Sequence, residues 1–114
     1  MITKKSFKIP IFKYIVEVFI IDTIDEGKSI YDKFYDVDGM TLDHLDRAMT
    51  SIIILNKMPS IVAHECLHTK NCIFRYIGQK LDIDNDEVDA YTLEYLIEKV
   101  AEVIKLHNTT KVNN

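Results

Sequence analysis

The chain has few of the residues that characterise secreted, fibrous or membrane proteins. Its 114 residues include no tryptophan, two cysteines, two prolines and three glycines. So few prolines and glycines give no linker, and a single domain is therefore expected. The apolar runs are too short for a membrane-spanning helix. The first twenty residues also lack the apolar stretch of a signal peptide, because Pro10, Lys13 and Glu17 interrupt it.

The two cysteines are too few to form a disulfide framework. Cys66 and Cys72 lie in one predicted helix, in directions roughly 240° apart around its axis, so they cannot bridge each other. Cys66 falls on the apolar side and is expected to be an inert buried thiol, whereas Cys72 lies closer to the polar side. A reducing compartment is the simpler interpretation, and we expect a soluble cytoplasmic protein.

The charge balance does not favour a polyanionic partner. Lys and Arg number 14 against 18 Asp and Glu, which gives a net charge of −4. Because binding to phosphates needs clustered basic residues, nucleic acid is not expected as a partner by default. A membrane is not expected either, because the apolar runs are short. Apolar residues make up 47% of the chain and charged residues 28%, which is typical of a globular protein.

The apolar periodicity predicts strands and helices in the order β-α-β-β-α-α. Three strands are expected, at Ile11–Asp22, Met40–Leu45 and Met49–Leu55. A short helix is expected between the first two strands, at Asp22–Tyr35. Two longer helices follow, from Pro59 to Gly78 and from about Asp86 to Leu106. The order predicts an α+β domain over residues 1–107, with helices packed on one face of a small sheet. Residues 108–114 are expected to form a polar tail that frays.

The first long helix carries an H-E-x-x-H motif, His64-Glu65-Cys66-Leu67-His68. Residues four apart on a helix lie about 40° apart around the axis and about 6 Å apart along it, so both imidazoles can reach one ion. Glu65 lies on the same side, where it can accept a proton from activated water. The apolar stripe lies opposite the histidines, which argues against simple core residues. An exposed histidine pair on a surface helix remains the alternative.

A zinc site with an open position needs a third protein ligand. Cys72 lies too far along the axis from both histidines. Asp82, Asp84 and Asp86 resemble the start of a calcium loop, but the glycine and glutamate that such a loop needs later are absent. Glu87 is the favoured candidate, because it opens the last helix at the edge of the apolar stripe, near the seam with the first long helix, and Ala90 one turn on is small enough to let the two helices approach closely. It can instead form a capping pair with Asp84, and the two roles can coexist.

The motif His64-Glu65-x-x-His68, followed by Glu87-x-x-Ala90-Tyr91, resembles the gluzincin-type zinc peptidases, in particular the compact ImmA/IrrE-like group and small phage or prophage metallopeptidases. The resemblance covers roughly residues 61–97. It implies a minimal zincin-like fold, with one zinc held by His64 and His68 on the penultimate helix and by Glu87 on the last. It also implies Glu65 as the general base. No second domain that could form the far wall of a cleft is expected in these 114 residues, which argues against broad proteolysis.

Hydrolysis of an amide also needs a donor to the tetrahedral oxyanion. Tyr91, one turn after Glu87, is the nearest candidate, and His44, in a predicted turn, is another. A tyrosine at that spacing is more often a packing residue, and a turn histidine is more often solvated. On the first long helix, Asn71 and Arg75 lie on the side of the histidines. Asn71 could brace the site, and Arg75 could pair with an acidic residue of the last helix, such as Glu94 or Glu98.

Three hypotheses follow from the sequence. The leading one is a small intracellular zinc peptidase, related to phage or prophage enzymes, that hydrolyses a peptide bond of a specific protein. The second is a regulatory or binding protein that keeps the zinc fold with little or no turnover. The third is a metal-free helical module. The sequence leaves open the substrate, the oligomeric state and the metal, since two histidines with one carboxylate accept several ions.

Overall fold

The computed structural model describes residues 1–10 and 12–113, which form a mixed four-stranded sheet and three helices. The elements in chain order are β1 (Thr3–Ile9), β2 (Tyr14–Ile20), α1 (Ile24–Ile30), β3 (Gly39–His44), β4 (Met49–Ile54), α2 (Pro59–Ile77) and α3 (Glu87–Asn113). The strands are ordered β1-β2-β4-β3. β2 and β4 are parallel, and the two outer pairs are antiparallel. The predicted α+β class is confirmed.

The sequence did not predict β1, which forms a hairpin with β2. Lys4, Lys5 and Lys8 are exposed on this outer strand, and they conceal the apolar pattern that Phe7 and Ile9 supply. Residue 13 provides the left-handed backbone (φ 54°) between the two strands. β2 is shorter than the predicted strand at Ile11–Asp22, whose first residue lies outside the described part of the chain.

Different helices cover the two faces of the sheet. On one face, Val16 and Ile52 are fully buried in the cluster formed with α2 and α3. On the other face, Ile53 packs with Phe34 and with residues of α1. Because neighbouring residues of a strand point to opposite faces, the run of isoleucines in β4 supplies both cores. The expectation that helices pack on one face therefore holds for α2 and α3, whereas α1 covers the opposite face.

The ends of α2 were predicted correctly, and β3 lies within one residue of the predicted strand at Met40–Leu45. Pro59 occupies the first turn of α2, and Gly78 follows the helix with φ 74°, the left-handed conformation that glycine adopts without strain. β3 forms one edge of the sheet and, within the described part of the chain, pairs with β4 alone. α3 continues to Asn113, well beyond the predicted end at Leu106, so residues 108–113 are helical; residue 114 lies outside the description.

The length and apolar content of the three helices can be compared with what a membrane crossing requires. In the described ranges, 1–10 and 12–113, none of them combines the length and the apolar content that a membrane crossing requires.

Candidate active site

A cavity of about 470 Å³ opens between the edge strand β3 and the helix α2. The strand and the helix contribute side chains that face each other across it: Gly39, Thr41 and Asp43 from β3, and His64, Glu65, His68, Asn71, Cys72 and Arg75 from α2. Every second residue of β3 faces the helix, as the pleat of a strand requires. The cavity therefore brings the H-E-x-x-H motif against the exposed edge of the sheet.

The two histidines of the motif lie side by side at this cavity. Their Nε2 atoms are 3.3 Å apart, and the ring planes are nearly perpendicular, with centroids separated by 4.8 Å. Zinc–nitrogen bonds of about 2.0–2.1 Å and a tetrahedral angle place two ligand nitrogens about 3.3–3.4 Å apart. The spacing of His64 and His68 thus fits two ligands of one tetrahedral ion.

Glu65 lies beside the histidines but is turned toward the sheet. Only 6% of the residue is exposed, and its Oε1 accepts a hydrogen bond from the Thr41 hydroxyl at 2.7 Å. Gly39 permits this close approach, because a Cβ there would lie 3.1 Å from Glu65 Cγ and 3.2 Å from the carbonyl oxygen of Ile53. The strand therefore holds the carboxylate in one place while its edge remains open to the cavity.

The sequence did not predict the roles of Gly39 and Thr41. Thr41 and Glu65 are 24 residues apart, and their contact depends on how β3 lies against α2. One signal was present in the sequence. Alternate residues of the predicted strand at Met40–Leu45 include Thr41 and Asp43, polar residues on the face that the first long helix would cover.

Glu87 is not brought to the histidines. It is exposed at the start of α3 and does not line the cavity. The neighbouring contact explains why: Lys70 of α2 pairs with Asp89 of α3 at 2.8 Å. Lys70 points about 200° away from His68 around the helix axis, so α3 begins on the far side of α2. The proposed ligand role of Glu87 remains a prediction without geometric support.

The donor set near the histidines is therefore small. Within residues 1–10 and 12–113, no three His, Cys, Asp or Glu side chains are grouped so that they could hold a metal ion. The arrangement offers two imidazoles from the protein, and solvent or a bound peptide would have to complete the coordination of an ion.

Neither candidate for the oxyanion donor faces the cavity. Tyr91 is 65% exposed and lies in a separate apolar groove with Ile9 and Tyr95. His44 is on the other face of β3, where its Nε2 contacts the Ser51 hydroxyl at 2.7 Å. Both assignments remain predictions, and the structure brings neither residue to the H-E-x-x-H motif.

Asn71 and Arg75 line the cavity beside the histidines, on the side that the helical spacing predicted. Arg75 does not pair with α3, however. Its Nη2 donates to Asp43 Oδ2 of β3 at 3.3 Å, so the expected pairing with Glu94 or Glu98 is wrong. The reason is again that α3 packs on the opposite side of α2.

Both cysteines are free and buried, as the sequence indicated for Cys66. Burial raises the pKa of the Cys66 thiol to about 12, which keeps it protonated and unreactive. Burial also raises the pKa of Cys72, and the nearby Asp43 carboxylate adds to this effect. Cys72 lines the cavity, but its environment does not favour a thiolate.

Comparison with known proteins gives no family assignment. No protein-family model, no curated protein and no solved structure matches this chain.

Proposed function

We propose that this chain is a metal-dependent peptidase of the zincin type, with His64 and His68 as metal ligands and Glu65 as the general base. The observation that carries the proposal is the 3.3 Å separation of the two Nε2 atoms, which matches two ligands of a tetrahedral ion. The buried, hydrogen-bonded carboxylate of the adjacent Glu65 adds the group that hydrolysis needs.

Each residue has a defined task in hydrolysis. A zinc ion held by the two imidazoles would supply a Lewis acid that polarises the scissile carbonyl and acidifies water. Glu65 accepts a proton from the attacking water and passes it to the leaving amine, so one amide bond becomes a carboxylic acid and an amine. Thr41 fixes the direction of the Glu65 carboxylate through its hydrogen bond. The β3 edge offers backbone groups that can align an extended peptide over the site.

A metal-containing regulatory or binding protein with little turnover is the second candidate. It is favoured by the small donor set, since the described residues bring two imidazoles and no third ligand together. The position of Glu87 on the far side of α2 also favours it, because efficient zinc hydrolases hold the ion with three protein ligands. The metal-free alternative is also compatible with this geometry, because the N–H of one imidazole can donate a hydrogen bond to the ring nitrogen of the other across 3.3 Å.

Metal titration and peptide turnover together test the proposal. We expect the wild-type chain to bind one zinc per chain, and His64→Ala and His68→Ala each to weaken zinc binding at least tenfold. Glu65→Gln should keep zinc binding and lower peptide hydrolysis by about 10²–10⁴-fold. His44→Ala is the matched control, because it removes a histidine outside the pair and should leave zinc affinity unchanged.

Each alternative predicts a different result. A wild-type chain that binds no zinc in a titration with added metal would contradict both metal-dependent candidates. Zinc binding that depends on His64 and His68, with no hydrolysis above that of Glu65→Gln, would favour the binding protein over the peptidase.

A further inference from the structure

The cavity at the histidines is part of a longer groove between β3 and α2. Three adjoining cavities share residues along its length. The first, of about 620 Å³, is lined by Asp36, Asp38 and Glu65 among others. It meets the 470 Å³ cavity at Gly39, His64 and Glu65. A third, of about 180 Å³, continues beyond Asp43 and Arg75. We call this surface the β3–α2 groove.

The two ends of the β3–α2 groove carry opposite charge. Asp36 and Asp38 line the end before the H-E-x-x-H motif. Arg47 and Arg75, the two arginines of the sequence, line the other end, and Asp43 is the one carboxylate among the described residues that line this cavity with them. An acidic side chain is therefore attracted at one end and repelled at the other.

Arg75 retains donors for a ligand at its end of the groove. Its Nη2 contacts Asp43 at 3.3 Å and Cys72 Sγ at 3.6 Å, and 65% of its side chain is exposed. A guanidinium has five N–H donors in a planar fork that matches a carboxylate, so two long contacts from one nitrogen leave most of them available. Arg47 is also exposed in the turn that follows β3.

The direction in which a peptide binds along β3 decides which side of the scissile bond lies beside Arg75. Antiparallel pairing is slightly the more stable mode for adding a strand, and β3 already pairs in this way with β4. A peptide antiparallel to β3 has its N-terminal part beside Asp43 and its C-terminal part beside Gly39. With about 3.3 Å per residue, the residue beside Arg75 lies about two to four positions before the bond at Glu65.

We propose that the substrate is a protein segment with an Asp or Glu two to four residues on the N-terminal side of the cleaved bond, recognised by Arg75 with support from Arg47. This specificity rests on the proposed peptidase function. Asp36 and Asp38 disfavour acidic residues on the C-terminal side of the bond, so the preference is directional.

A fluorogenic peptide library tests the preference. Capped nonapeptides with Glu, Gln or Lys fixed at one position before or after the cleaved bond are compared by kcat/KM with the zinc-loaded chain. Glu two to four residues upstream should exceed Gln at the same position by about fivefold, and added NaCl should reduce the difference. Arg75→Glu should reverse the preference in favour of Lys, and Arg75→Gln should remove it.

Lys105→Glu is the matched control, because it makes the same change in net charge on the exposed surface of α3 and should keep the Glu preference. Loss of the preference in this control would mean that overall charge, and not Arg75, sets it. Equal cleavage of Glu and Gln peptides, or a preference for Glu after the bond, would overturn the specificity while the peptidase function stood. No cleavage of any peptide by the zinc-loaded chain would instead refute the proposed function, and the specificity with it.

Discussion

Asp22 accepts a hydrogen bond from Nε2 of His107 at 3.0 Å, although the two residues are 85 positions apart in the chain. The same carboxylate contacts Lys57 at 3.3 Å and Lys111 at 3.2 Å. His107 is fully buried, and its Nδ1 contacts the Thr3 hydroxyl at 2.7 Å. With Nε2 as the donor, Nδ1 can accept from Thr3, so both ring nitrogens are satisfied. These contacts join β1, the end of β2, the approach to α2 and the last turns of α3.

The Asp22 contacts predict that the fold weakens in acid. Burial alone raises the pKa of the Asp22 carboxyl, but hydrogen bonds from His107, Lys111 and Lys57 outweigh it, and the pKa lies well below its usual range. The unfolded chain therefore takes up a proton near pH 4, where the folded chain does not. The stabilisation is present above about pH 4 and is lost as the pH falls toward the lower pKa of the folded state.

Replacement of Asp22 isolates this effect. Asp22→Asn should lower the free energy of unfolding at pH 7 by about 1–3 kcal/mol, because it removes hydrogen bonds to a charged acceptor. Urea unfolding between pH 3 and pH 7 should show a weaker pH dependence for the variant. Asp46→Asn, in an exposed turn, is the control. Parallel loss of stability in wild type and Asp22→Asn below pH 4 would show that other carboxylates dominate.

The ion pair between α2 and α3 gives a second stability prediction. Lys70 is 3% exposed, its Nζ lies 2.8 Å from Asp89 Oδ2, and it also lies 5.3 Å from the centroid of the Phe74 ring. Asp89→Ala leaves a buried ammonium without its carboxylate and should cost about 3–5 kcal/mol. The double variant Lys70→Met/Asp89→Leu should recover most of that loss, since both charges are removed. Chemical denaturation of the three proteins measures this, and equal stability of Asp89→Ala and wild type would contradict it.

The sequence predicted the elements whose signals are local. Pro59 and Gly78 indicated both ends of α2, and four-residue spacing brought His64 and His68 together. β1 was missed because the lysines of an outer strand obscure its apolar pattern. α3 extends past Leu106 because neither glycine nor proline follows to stop it.

The unpredicted parts of the site depend on tertiary packing. Helical periodicity gives the apolar stripe of α3 but does not say which side of α2 that stripe approaches. In the structure α3 packs on the side of α2 that carries the shared apolar cluster and the Lys70–Asp89 pair, and Glu87 therefore lies away from the histidines. The support of Glu65 by Thr41 likewise depends on the position of an edge strand, which no local pattern in the sequence determines.

Gly39 provides a test of how β3 positions Glu65. In Gly39→Ala, the new Cβ would lie 3.1 Å from Glu65 Cγ, so the side chain has to shift by a few tenths of an ångström. We expect hydrolysis to fall at least tenfold, with zinc affinity unchanged, because the atoms nearest to the new Cβ belong to Glu65 and Ile53 and not to the histidines. Thr41→Val, which removes the hydrogen bond to Glu65, should act in the same direction, and Thr41→Ser should restore activity. Unchanged kcat in both Gly39→Ala and Thr41→Val would contradict a positioning role for β3.

Metal removal should lower stability without unfolding the chain. Val16, Val18, Ile52 and Ile54 are fully buried beneath α2 and α3, so the core does not depend on an ion. Zinc at a concentration 100 times its Kd should add about 2.7 kcal/mol. Thermal melts with zinc and with a chelator measure the difference, and His64→Ala should abolish it. A chain that is unfolded at room temperature in chelator would contradict the prediction.

The hydrogen bonds of β3 show which of its backbone groups are turned away from the sheet. The amide of Leu55 donates to the carbonyl oxygen of Asp38 at 3.0 Å. In an antiparallel ladder the bonding direction alternates, so every second residue from Met40 onward bonds to β4. The amides of Thr41 and Asp43 therefore point outward, where an extended peptide can pair with them.

Asp43→Pro tests whether a substrate uses this edge. Proline removes the outward N–H and leaves the bonds between β3 and β4 in place, as it does at edge strands generally. Asp43→Ala is the matched control, because it also loses the ion pair with Arg75 but keeps the N–H. Relative to Asp43→Ala, we expect Asp43→Pro to bind peptide about fivefold more weakly, the equivalent of one net hydrogen bond, with the same zinc affinity. Fluorescence anisotropy in a Glu65→Gln background measures binding without turnover. Equal affinity of the two variants for the same peptide would show that the peptide does not pair with β3 at Asp43.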